Sequence, residues 1–332
     1  MNPFANLPKF VHVCDVTARD GYQHEEKFIP TDAKMYVLNA LVDAGFKKIE
    51  VSNFGNPKRM PQFKDAHELM QKVKRVPGVE YTVVTMTERA VKDAIKDKEA
   101  GYGPDRISVT ISTSEAHNLV NAGKPIAEYW TNIEKWMQMS RDAQIKFSVT
   151  ISTIWGCPIV GPVPMDWAVD FTERLLKMGV DDVCHADHDG QASPDKAYEY
   201  FAKVMDRDPN PERHIAHFHV TRGWGLANVL AAMQAGIACF DSTLGGIGGQ
   251  PANFIDGVPV SGTGKYYYSD PSRTGLVCTE DLVVMLDGMG IETGIDVDKL
   301  LDLGAMNERI VGRQLRAESV TNGRLPKAYG QK

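Results

Sequence analysis

Short runs of β-branched and apolar residues alternate with longer amphipathic stretches along the chain, and this alternation constrains the fold more than any other feature. The predicted strands span 10–16, 48–51, 81–85, 106–111, 146–151, 182–185, 215–220 and 238–242. The predicted helices that follow them span 31–44, 62–75, 88–100, 127–143, 166–178, 195–205, 226–235 and 279–289. Eight successive β–α units favour a (β/α)8 TIM barrel of the α/β class.

The alternative is a doubly wound open sheet, but no glycine-rich dinucleotide-binding turn follows the first strand. Residues 296–316 predict an extra helical segment after the barrel, and the tail from residue 317 is polar. No linker or charge run divides the chain. We therefore expect one domain over residues 1–332, with the barrel at about 8–295 and a C-terminal helical extension at about 296–332.

Charge and composition narrow the possible partners and compartment. The net charge is −6 and no basic stripe is present, which argues against nucleic acid, and no apolar run is long enough to span a bilayer. Residues 1–8 lack the basic and apolar pattern of a signal peptide. The cysteines are scattered without zinc-type pairs, at Cys14, Cys157, Cys184, Cys239 and Cys278. The sequence therefore predicts a cytoplasmic protein with reduced thiols that acts on a small molecule.

Two histidines at the end of the seventh predicted strand are the strongest chemical signal. Side chains alternate along a strand, so His217 and His219 should point to the same place. A pair of neutral imidazoles on a rigid strand favours a divalent-metal site. Other polar residues follow the ends of the first, second, sixth and eighth strands, where TIM barrels place their active sites. They are Arg19, Asp20, Glu50, His185, Asp187, His188, Asp189 and Asp241.

Several of these residues also have a structural interpretation. Arg19 could form an ion pair with Asp15 or Glu50, and Glu50 could be a buried acid bound to a neighbouring loop. Asp241 is expected to bind loop amides more often than substrate. The glycine run at 245–249 is by default a backbone feature, because glycine permits positive φ and close approach.

Ten short motifs, in order along the chain, resemble those of the 3-hydroxy-3-methylglutaryl-CoA lyase family of metal-dependent TIM barrels. The resemblance covers about residues 8–316. The motifs are RDGYQ at 19–23, KIE at 48–50, NPKRMPQ at 56–62, GCP at 156–158, HFH at 217–219, GLAN at 225–228, DST at 241–243, GIGG at 246–249, TEDL at 279–282 and GIETG at 290–294. Their order and spacing make coincidence an implausible explanation.

The resemblance implies a metal centre and an oxyanion-stabilising group. By position, Asp20, His217 and His219 would bind a divalent metal, with Mg²⁺ or Mn²⁺ expected. Arg19 would polarise a thioester carbonyl and stabilise the enolate formed from it. Glu50 would support the metal site or Arg19.

The resemblance further implies a carbon–carbon lyase that acts by a retro-Claisen or retro-aldol route. The expected substrate is a 3-hydroxyacyl-CoA or a related branched hydroxy acid, and the enolate would be stabilised by the metal and the arginine. Asp187 takes the position of a family acid near the reacting hydroxyl. We also expect a homo-oligomer, either a dimer or a tetramer.

The chain departs from the family pattern at three positions. Gln250 replaces the catalytic cysteine of the glycine loop and stays a candidate catalytic residue, although an amide cannot donate a proton as a thiol acid does. Leu276 replaces an asparagine ligand, so that a water or Asn253 would have to fill its place. Val220 replaces an aspartate after the histidine pair. The substrate is therefore expected to differ from that of the parent lyase.

Other functions stay open at this stage. One is cleavage of a 4-hydroxy-2-oxo acid by an aldolase, or condensation by an acyl-CoA synthase of the same superfamily. Another is a barrel that has lost catalysis and serves as a binding or regulatory subunit. The long stretch 252–274, which is rich in glycine and tyrosine, predicts either an active-site lid or a subunit contact.

Overall fold

The computed structural model describes most of the chain, namely residues 4, 6–188, 190–249, 252–255, 258–261 and 274–326. Asp189, Gln250 and the greater part of the predicted lid or subunit contact at 252–274 lie outside these residues, as does the side chain of Asn253. Within the described part, none of the helices combines the length and apolar character that crossing a lipid bilayer requires.

Eight parallel strands close into a barrel in which each strand pairs with its neighbours in chain order. They are β1 (His12–Asp15), β2 (Lys48–Asn53), β3 (Glu80–Val84), β4 (Arg106–Ser112), β5 (Lys146–Ser152), β6 (Asp182–Asp187), β7 (His214–Phe218) and β8 (Cys239–Ser242). Pairing of β1 with β8 closes the barrel and sets Cys14 opposite Asp241. The predicted (β/α)8 barrel is confirmed.

Helices lie between the strands and after the last of them. They are α1 (Thr31–Ala44), α2 (Ala66–Lys72), α3 (Glu88–Glu99), α4 (Glu115–Ala122), α5 (Ile126–Asp142), α6 (Asp166–Met178), α7 (Pro194–Arg207), α8 (Gly225–Gln234), α9 (Thr279–Gly288), α10 (Val297–Val311) and α11 (Glu318–Asn322). The extra helical segment predicted at 296–316 is thus α10, and α11 forms within the tail.

Two helices differ from the sequence prediction. The helix expected at 62–75 is shorter, because Val73 adopts extended backbone with ψ of 135° at the end of α2. Helix α4 was not expected. The Ser114 side chain accepts a hydrogen bond from the backbone N–H of His117 at its start, and Gly123 ends it with φ of 70°. Serine at the N-cap and glycine after the last turn are the signals that could have predicted it.

The side chains that point into the barrel from β4 and β5 are small and polar, so space remains along the barrel axis. In β4 and β5 the residues Val109, Ile111, Val149 and Ile151 are fully buried. The residues alternating with them are small hydroxyl residues that line an internal cavity: Ser108, Thr110, Ser148, Thr150 and Ser152. Bulky side chains usually fill such barrels. Because these are small, the mouth of this barrel opens into a deep cavity.

A buried ion cluster lies at the opposite, N-terminal end of the strands. Arg106 Nε lies 2.6 Å from Glu80 Oε1, and its Nη1 lies 2.5 Å from Asp182 Oδ2. Lys146 also pairs with Glu80, at 2.8 Å. Opposite charges at the N-terminal face of a TIM barrel are typical of residues that stabilise the fold.

After β8 the chain forms a small hairpin and then returns to the barrel. Strand β9 (Ala252–Ile255) pairs antiparallel with β10 (Val258–Ser261). In helix α10, Oδ1 of the buried Asn307 accepts a hydrogen bond from the Tyr22 hydroxyl at 2.6 Å. The C-terminal extension thereby contacts the segment that follows β1, where the predicted site begins.

Candidate active site

Three predicted metal ligands converge at the C-terminal ends of the strands. Asp20 lies in a π-helical turn, Thr17–Gly21, that directly follows β1. Its Oδ2 is 3.6 Å from Nε2 of His217, which in turn is 3.2 Å from Nε2 of His219. One ligand atom of each residue lies within 4.8 Å of the other two, and all three side chains are buried.

His219 belongs to this cluster but lies just after β7, whereas the sequence predicted it within that strand. Strand β7 ends at Phe218, whereas 215–220 was expected. The backbone N–H of His219 donates to the Asp187 carbonyl at 3.3 Å, and His219 forms a single antiparallel bridge with Leu276. This backbone pairing lets the two imidazoles meet although only His217 belongs to the strand.

Asp20 is held as a carboxylate by its surroundings. Burial raises its pKa, but the charge of Arg19 and the neighbouring histidines outweigh burial and hold the pKa well below its usual range. Arg19 Nη1 lies 3.0 Å from Asp20 Oδ2. The backbone N–H of Gly249 donates to Oδ1 at 3.1 Å. An ionised oxygen therefore faces the two imidazoles.

Glu50 fixes the second side of the Arg19 guanidinium. Nε of Arg19 donates a short hydrogen bond to Glu50 Oε2. The register of β2 against β3 shifts between Glu50 and Ser52, and such bulges commonly redirect side chains beside active sites. Burial raises the pKa of Glu50, which Arg19 partly opposes. Of the partners proposed for Arg19 from the sequence, the structure brings it to Glu50, whereas Asp15 accepts hydrogen bonds from Thr17.

Asp241 orients His217, whereas the sequence suggested that it binds loop amides. Its Oδ2 lies 2.9 Å from Nδ1 of His217. Burial lowers the pKa of His217, but the hydrogen bond and charge of Asp241, together with Asp20, raise it above 6.5. Because the Asp241 carboxylate binds the N–H at Nδ1, the other ring nitrogen, Nε2, carries the lone pair. This lone pair faces Asp20 and His219.

Three further histidines surround this cluster, and only His188 among them was singled out from the sequence as a strand-end residue. His24 Nε2 lies 4.0 Å from Asp20 Oδ1. The ring centroid of His188 is 5.8 Å from that of His219, and its Nε2 is 3.1 Å from Nε2 of His117. Burial lowers the pKa of His188 and of His219 to about 3. They lie far apart in sequence, so only the fold brings them together.

Two cavities meet at this mouth. The first has a volume of about 520 Å³ and extends from the cluster into the barrel, with Arg19, Asp20, Glu50 and Asp241 in its wall. The second, of about 880 Å³, lies between the residues after β1, the glycine loop 245–248 and the end of α10. His24 lines both cavities.

The donor set fits a divalent cation. Nδ1 of His219 is buried without a hydrogen-bond partner among the described residues. Its Nε2 lies 3.2 Å from Nε2 of His217, the same nitrogen that Asp20 approaches. Three converging electron-pair donors, one of them ionised, are poorly satisfied by each other and well suited to a metal ion.

Comparison with known proteins decides the family. The HMGL-like family model matches residues 10–306. The chain belongs to the HMGL-like family. This confirms the relationship inferred from the ten motifs.

The relatives of this HMGL-like protein are carbon–carbon lyases, and the chain is an enzyme of that class. A hydroxymethylglutaryl-CoA lyase of Bacillus subtilis is 31% identical over 317 residues, which cover 94% of this chain and 97% of the relative. The mitochondrial hydroxymethylglutaryl-CoA lyase of Gallus gallus is 31% identical over 308 residues, covering 91% and 96%. The structure of an HMG-CoA lyase from Acinetobacter baumannii, in complex with coenzyme A and 3-methylmalate, superposes with a TM-score of 0.84 at 29% identity, covering 98% of both chains.

Within this HMGL-like fold, two other positions singled out from the sequence supply no ligand atom to the cluster of Asp20, His217 and His219. Leu276 is 1% exposed and bridges His219, so an apolar side chain lies where the resemblance implies an asparagine ligand. Asp187 is buried, and its carboxylate accepts the backbone N–H groups of Gln191 and Ala192 at 2.9 and 3.0 Å. Asp187 is absent from the wall of the first cavity, and its catalytic role stays a prediction. Gln250 lies outside the described residues.

Proposed function

We propose that this HMGL-like chain cleaves a carbon–carbon bond of a 3-hydroxyacyl-CoA thioester, or of a related branched hydroxy acid, in a reaction that depends on a divalent cation. The observation that carries the proposal is the convergence of Asp20, His217 and His219 beside the Arg19 guanidinium at the mouth of a deep cavity. A cation and a guanidinium side by side suit a substrate whose hydroxyl lies two carbons from the thioester carbonyl, on the 3-carbon.

Asp20, His217 and His219 would hold the cation. When bound, the ion supplies Lewis acidity to substrate oxygens, which lowers the pKa of the 3-hydroxyl. Asp241 keeps the Nε2 lone pair of His217 directed into the site, and the Gly249 amide holds the second oxygen of Asp20. The protein thereby keeps its three donors in place before substrate arrives.

Arg19 would bind the thioester oxygen on which negative charge develops. Removal of the hydroxyl proton turns the C–O bond into a carbonyl, the C2–C3 bond breaks, and its electron pair passes to the thioester as an enolate. The enolate carbon then takes up a proton to give the shorter acyl-CoA. Glu50 and Asp20 hold the guanidinium on two sides, so little reorganisation is needed as the charge appears.

The second cavity would accommodate the anionic arm of coenzyme A. Its wall contains the cations Lys27, Arg313 and Arg316 and the backbone of the glycine loop, and it shares His24 with the first cavity. Arg313 Nη1 lies 2.5 Å from Glu25 Oε2, which fixes its position in the wall. Cationic side chains attract phosphate groups. This arrangement supports a thioester over a free hydroxy acid as substrate.

The test is metal content combined with turnover of the full-length protein. A panel of 3-hydroxyacyl-CoA thioesters and 4-hydroxy-2-oxo acids is incubated with metal-loaded and chelator-treated enzyme, and the acyl-CoA and carbonyl products are quantified. We expect cleavage of a thioester, its loss on chelation and its return with added divalent ion. A preference for oxo acids would instead indicate the aldolase of the same superfamily.

The matched variants are His217→Ala/His219→Ala and His67→Ala. The double variant should lose bound metal and turnover together, since a divalent site seldom survives loss of two ligands. His67 has a side chain that is 54% exposed and lies outside the site, so its replacement should change neither quantity. Full metal occupancy in the double variant, or turnover unaffected by chelation, would overturn the proposal.

A further inference from the structure

The first cavity is larger than the short acyl part of a simple 3-hydroxyacyl thioester requires. Its volume is about 520 Å³, which lies in the range of pockets that enclose a whole small molecule. Under the proposed function, the coenzyme A arm occupies the second cavity. Space inside the barrel is therefore left for a long substituent on the carbon that carries the reacting hydroxyl.

The wall of this cavity that lies across the barrel from the metal cluster carries rows of hydroxyl groups. The cluster lies on the side of β1, β7 and β8, and β4 and β5 are opposite to it in the closed barrel. The register of β4 against β5 sets Thr110 beside Thr150 and, two residues deeper, Ser108 beside Ser148. All four residues line the cavity, and such rows on one face of a parallel strand are roughly 6.6 Å apart.

These hydroxyl groups are only loosely bound to protein. Oγ of Ser108 and Oγ1 of Thr150 are 3.5 Å apart, whereas hydroxyl hydrogen bonds are usually about 2.5–3.0 Å long. Oγ of Ser152, in the row nearer the mouth, lies 3.4 Å from the Ile111 carbonyl oxygen. Since a hydroxyl has one donor and two acceptor positions, the middle row keeps capacity for a hydroxyl group of a ligand.

The wall below the metal cluster is apolar instead. Cys14, Cys184 and Ile215 line it and belong to one buried apolar group. The charges along the cavity do not favour an anion, because five acidic residues outnumber four basic ones, and Arg106 at the floor is bound by two carboxylates. An alkyl chain with a neutral hydroxyl group therefore matches the two walls better than a plain alkyl chain or a chain that ends in a carboxylate.

We propose that Thr110 and Thr150 determine specificity, and that the preferred substrate is a 3-hydroxyacyl-CoA whose chain beyond the 3-carbon carries a second, neutral hydroxyl group. Cleavage of its C2–C3 bond gives acetyl-CoA and a hydroxyaldehyde. The 3-hydroxyl loses its proton, C3 becomes the aldehyde carbon, and C2 takes up a proton. This inference rests on the proposed function and specifies its substrate class.

The test compares three six-carbon thioesters on the metal-loaded, full-length enzyme. They are 3-hydroxyhexanoyl-CoA, 3,6-dihydroxyhexanoyl-CoA and the 3-hydroxy thioester that ends in a carboxylate at C6. Release of acetyl-CoA gives kcat/KM for each. We expect the dihydroxy thioester to exceed the other two by about 100-fold or more, because sites built to bind a substrate hydroxyl strongly reject analogues that lack it.

The matched variants are Thr110→Val/Thr150→Val and Thr131→Val. The first removes two hydroxyl groups and keeps the branched shape, so the ratio of kcat/KM for the dihydroxy over the alkyl thioester should fall at least about tenfold. Its kcat/KM for the alkyl thioester should rise, which also shows that it folds; if it does not fold, Thr110→Val gives the same ratio. Thr131, an exposed residue of α5, is the control, and its variant should match wild type.

Equal kcat/KM for the three thioesters, a preference for the carboxylate, or an unchanged ratio in the folded variant would overturn the inference and leave the proposed function in place. Calorimetry on chelator-treated enzyme measures affinity for the same thioesters without cleavage. If no thioester is cleaved, the proposed function fails and affinity decides the inference. Tighter binding of the dihydroxy thioester that is lost in Thr110→Val/Thr150→Val would support it, and equal affinities would overturn it.

Discussion

At the residue scale, the surroundings of Arg19 keep its guanidinium charged and fix its direction. Burial lowers its pKa, but Asp20 and Glu50 outweigh that effect and raise it above the usual value, so the guanidinium stays charged. Its Nε and Nη1 bind two different carboxylates. Only a planar fork can satisfy both directions at once.

Arg19→Lys should therefore lower kcat by about 100-fold or more, as loss of one oxyanion-stabilising donor does, with a modest change in KM. Lysine keeps the positive charge but cannot hold Glu50 and Asp20 in the same geometry. Steady-state kinetics and bound-metal analysis of the same preparations give the measurement. Arg89→Lys, at a side chain that is 62% exposed, is the control. Near-normal kcat in Arg19→Lys would remove this residue from the mechanism.

Asp241 is expected to affect the site through its hydrogen bond to His217. Replacing it with asparagine keeps its size but removes the charge that holds Nδ1–H of the imidazole at 2.9 Å. We expect Asp241→Asn to weaken metal binding about 10–100-fold, the range measured for carboxylates behind metal-bound histidines. Calorimetric titration measures the change. Asp43→Asn, at an exposed ion pair with Lys74, is the control, and equal affinity in both variants would contradict the positioning role.

At the scale of elements, the glycine loop after β8 supports the turn that follows β1. Gly248 has φ of 86°, and a Cβ placed on it would lie 2.6 Å from the backbone oxygen of Asp20. The next residue, Gly249, donates its N–H to the Asp20 carboxylate. Close backbone approach at this position thus sets the orientation of Asp20, a proposed metal ligand.

Gly248→Ala should disturb that ligand. The left-handed conformation costs about 1–2 kcal/mol in an L residue, and the clash with backbone adds about 1–3 kcal/mol. We expect lower stability in urea denaturation together with weaker metal binding. Gly223→Ala is the control, because Gly223 has φ of 77° with nothing within 4 Å of its added Cβ. It should lose stability through the backbone term alone and bind metal normally; equal metal affinity in Gly248→Ala would refute the loop's role.

At the scale of the whole molecule, a buried carboxyl group connects helix α9 to the glycine loop that follows β8. Glu280, in the first turn of α9, accepts the Gly245 amide with both oxygens, at 3.1 and 2.8 Å. Burial raises its pKa from 4.5 to about 7, opposed in part by the Gly245 hydrogen bond. Between these two values the native state holds a proton that the unfolded chain releases. The free energy of unfolding should therefore fall as pH rises through this window.

Glu280→Gln should flatten that dependence. Ionising Glu280 in the native state costs on the order of 3 kcal/mol, and the neutral amide avoids this while still accepting the Gly245 N–H. Urea denaturation of metal-free wild type and variant at about pH 5 to 8 measures the slope. A residual slope is expected from Asp15, whose pKa burial also raises to about 7. Identical slopes in the two proteins would show that Glu280 does not titrate in this range.

Much of the architecture could be predicted from the sequence because it depends on local periodicity. Strand and helix positions follow from β-branched runs and amphipathic stretches, and α1 and α6 have the predicted bounds of 31–44 and 166–178. Asp20, His217 and His219 could be identified because each belongs to a short motif at a strand end. The sequence analysis did not predict helix α4, which is short and lies between the fourth strand and the helix expected at 127–143.

Only the tertiary structure decided which side chains share one space. The sequence by itself determined the eight β–α units, the family resemblance and the three metal-ligand candidates, because these depend on residues close together along the chain. It could not determine that Asp241 binds His217, or that His24, His117 and His188 surround the centre. The contacts of the site join residues as far apart as Asp20 and His217, which are 197 positions from each other, and barrel closure between β1 and β8 is what brings such residues within a few ångströms.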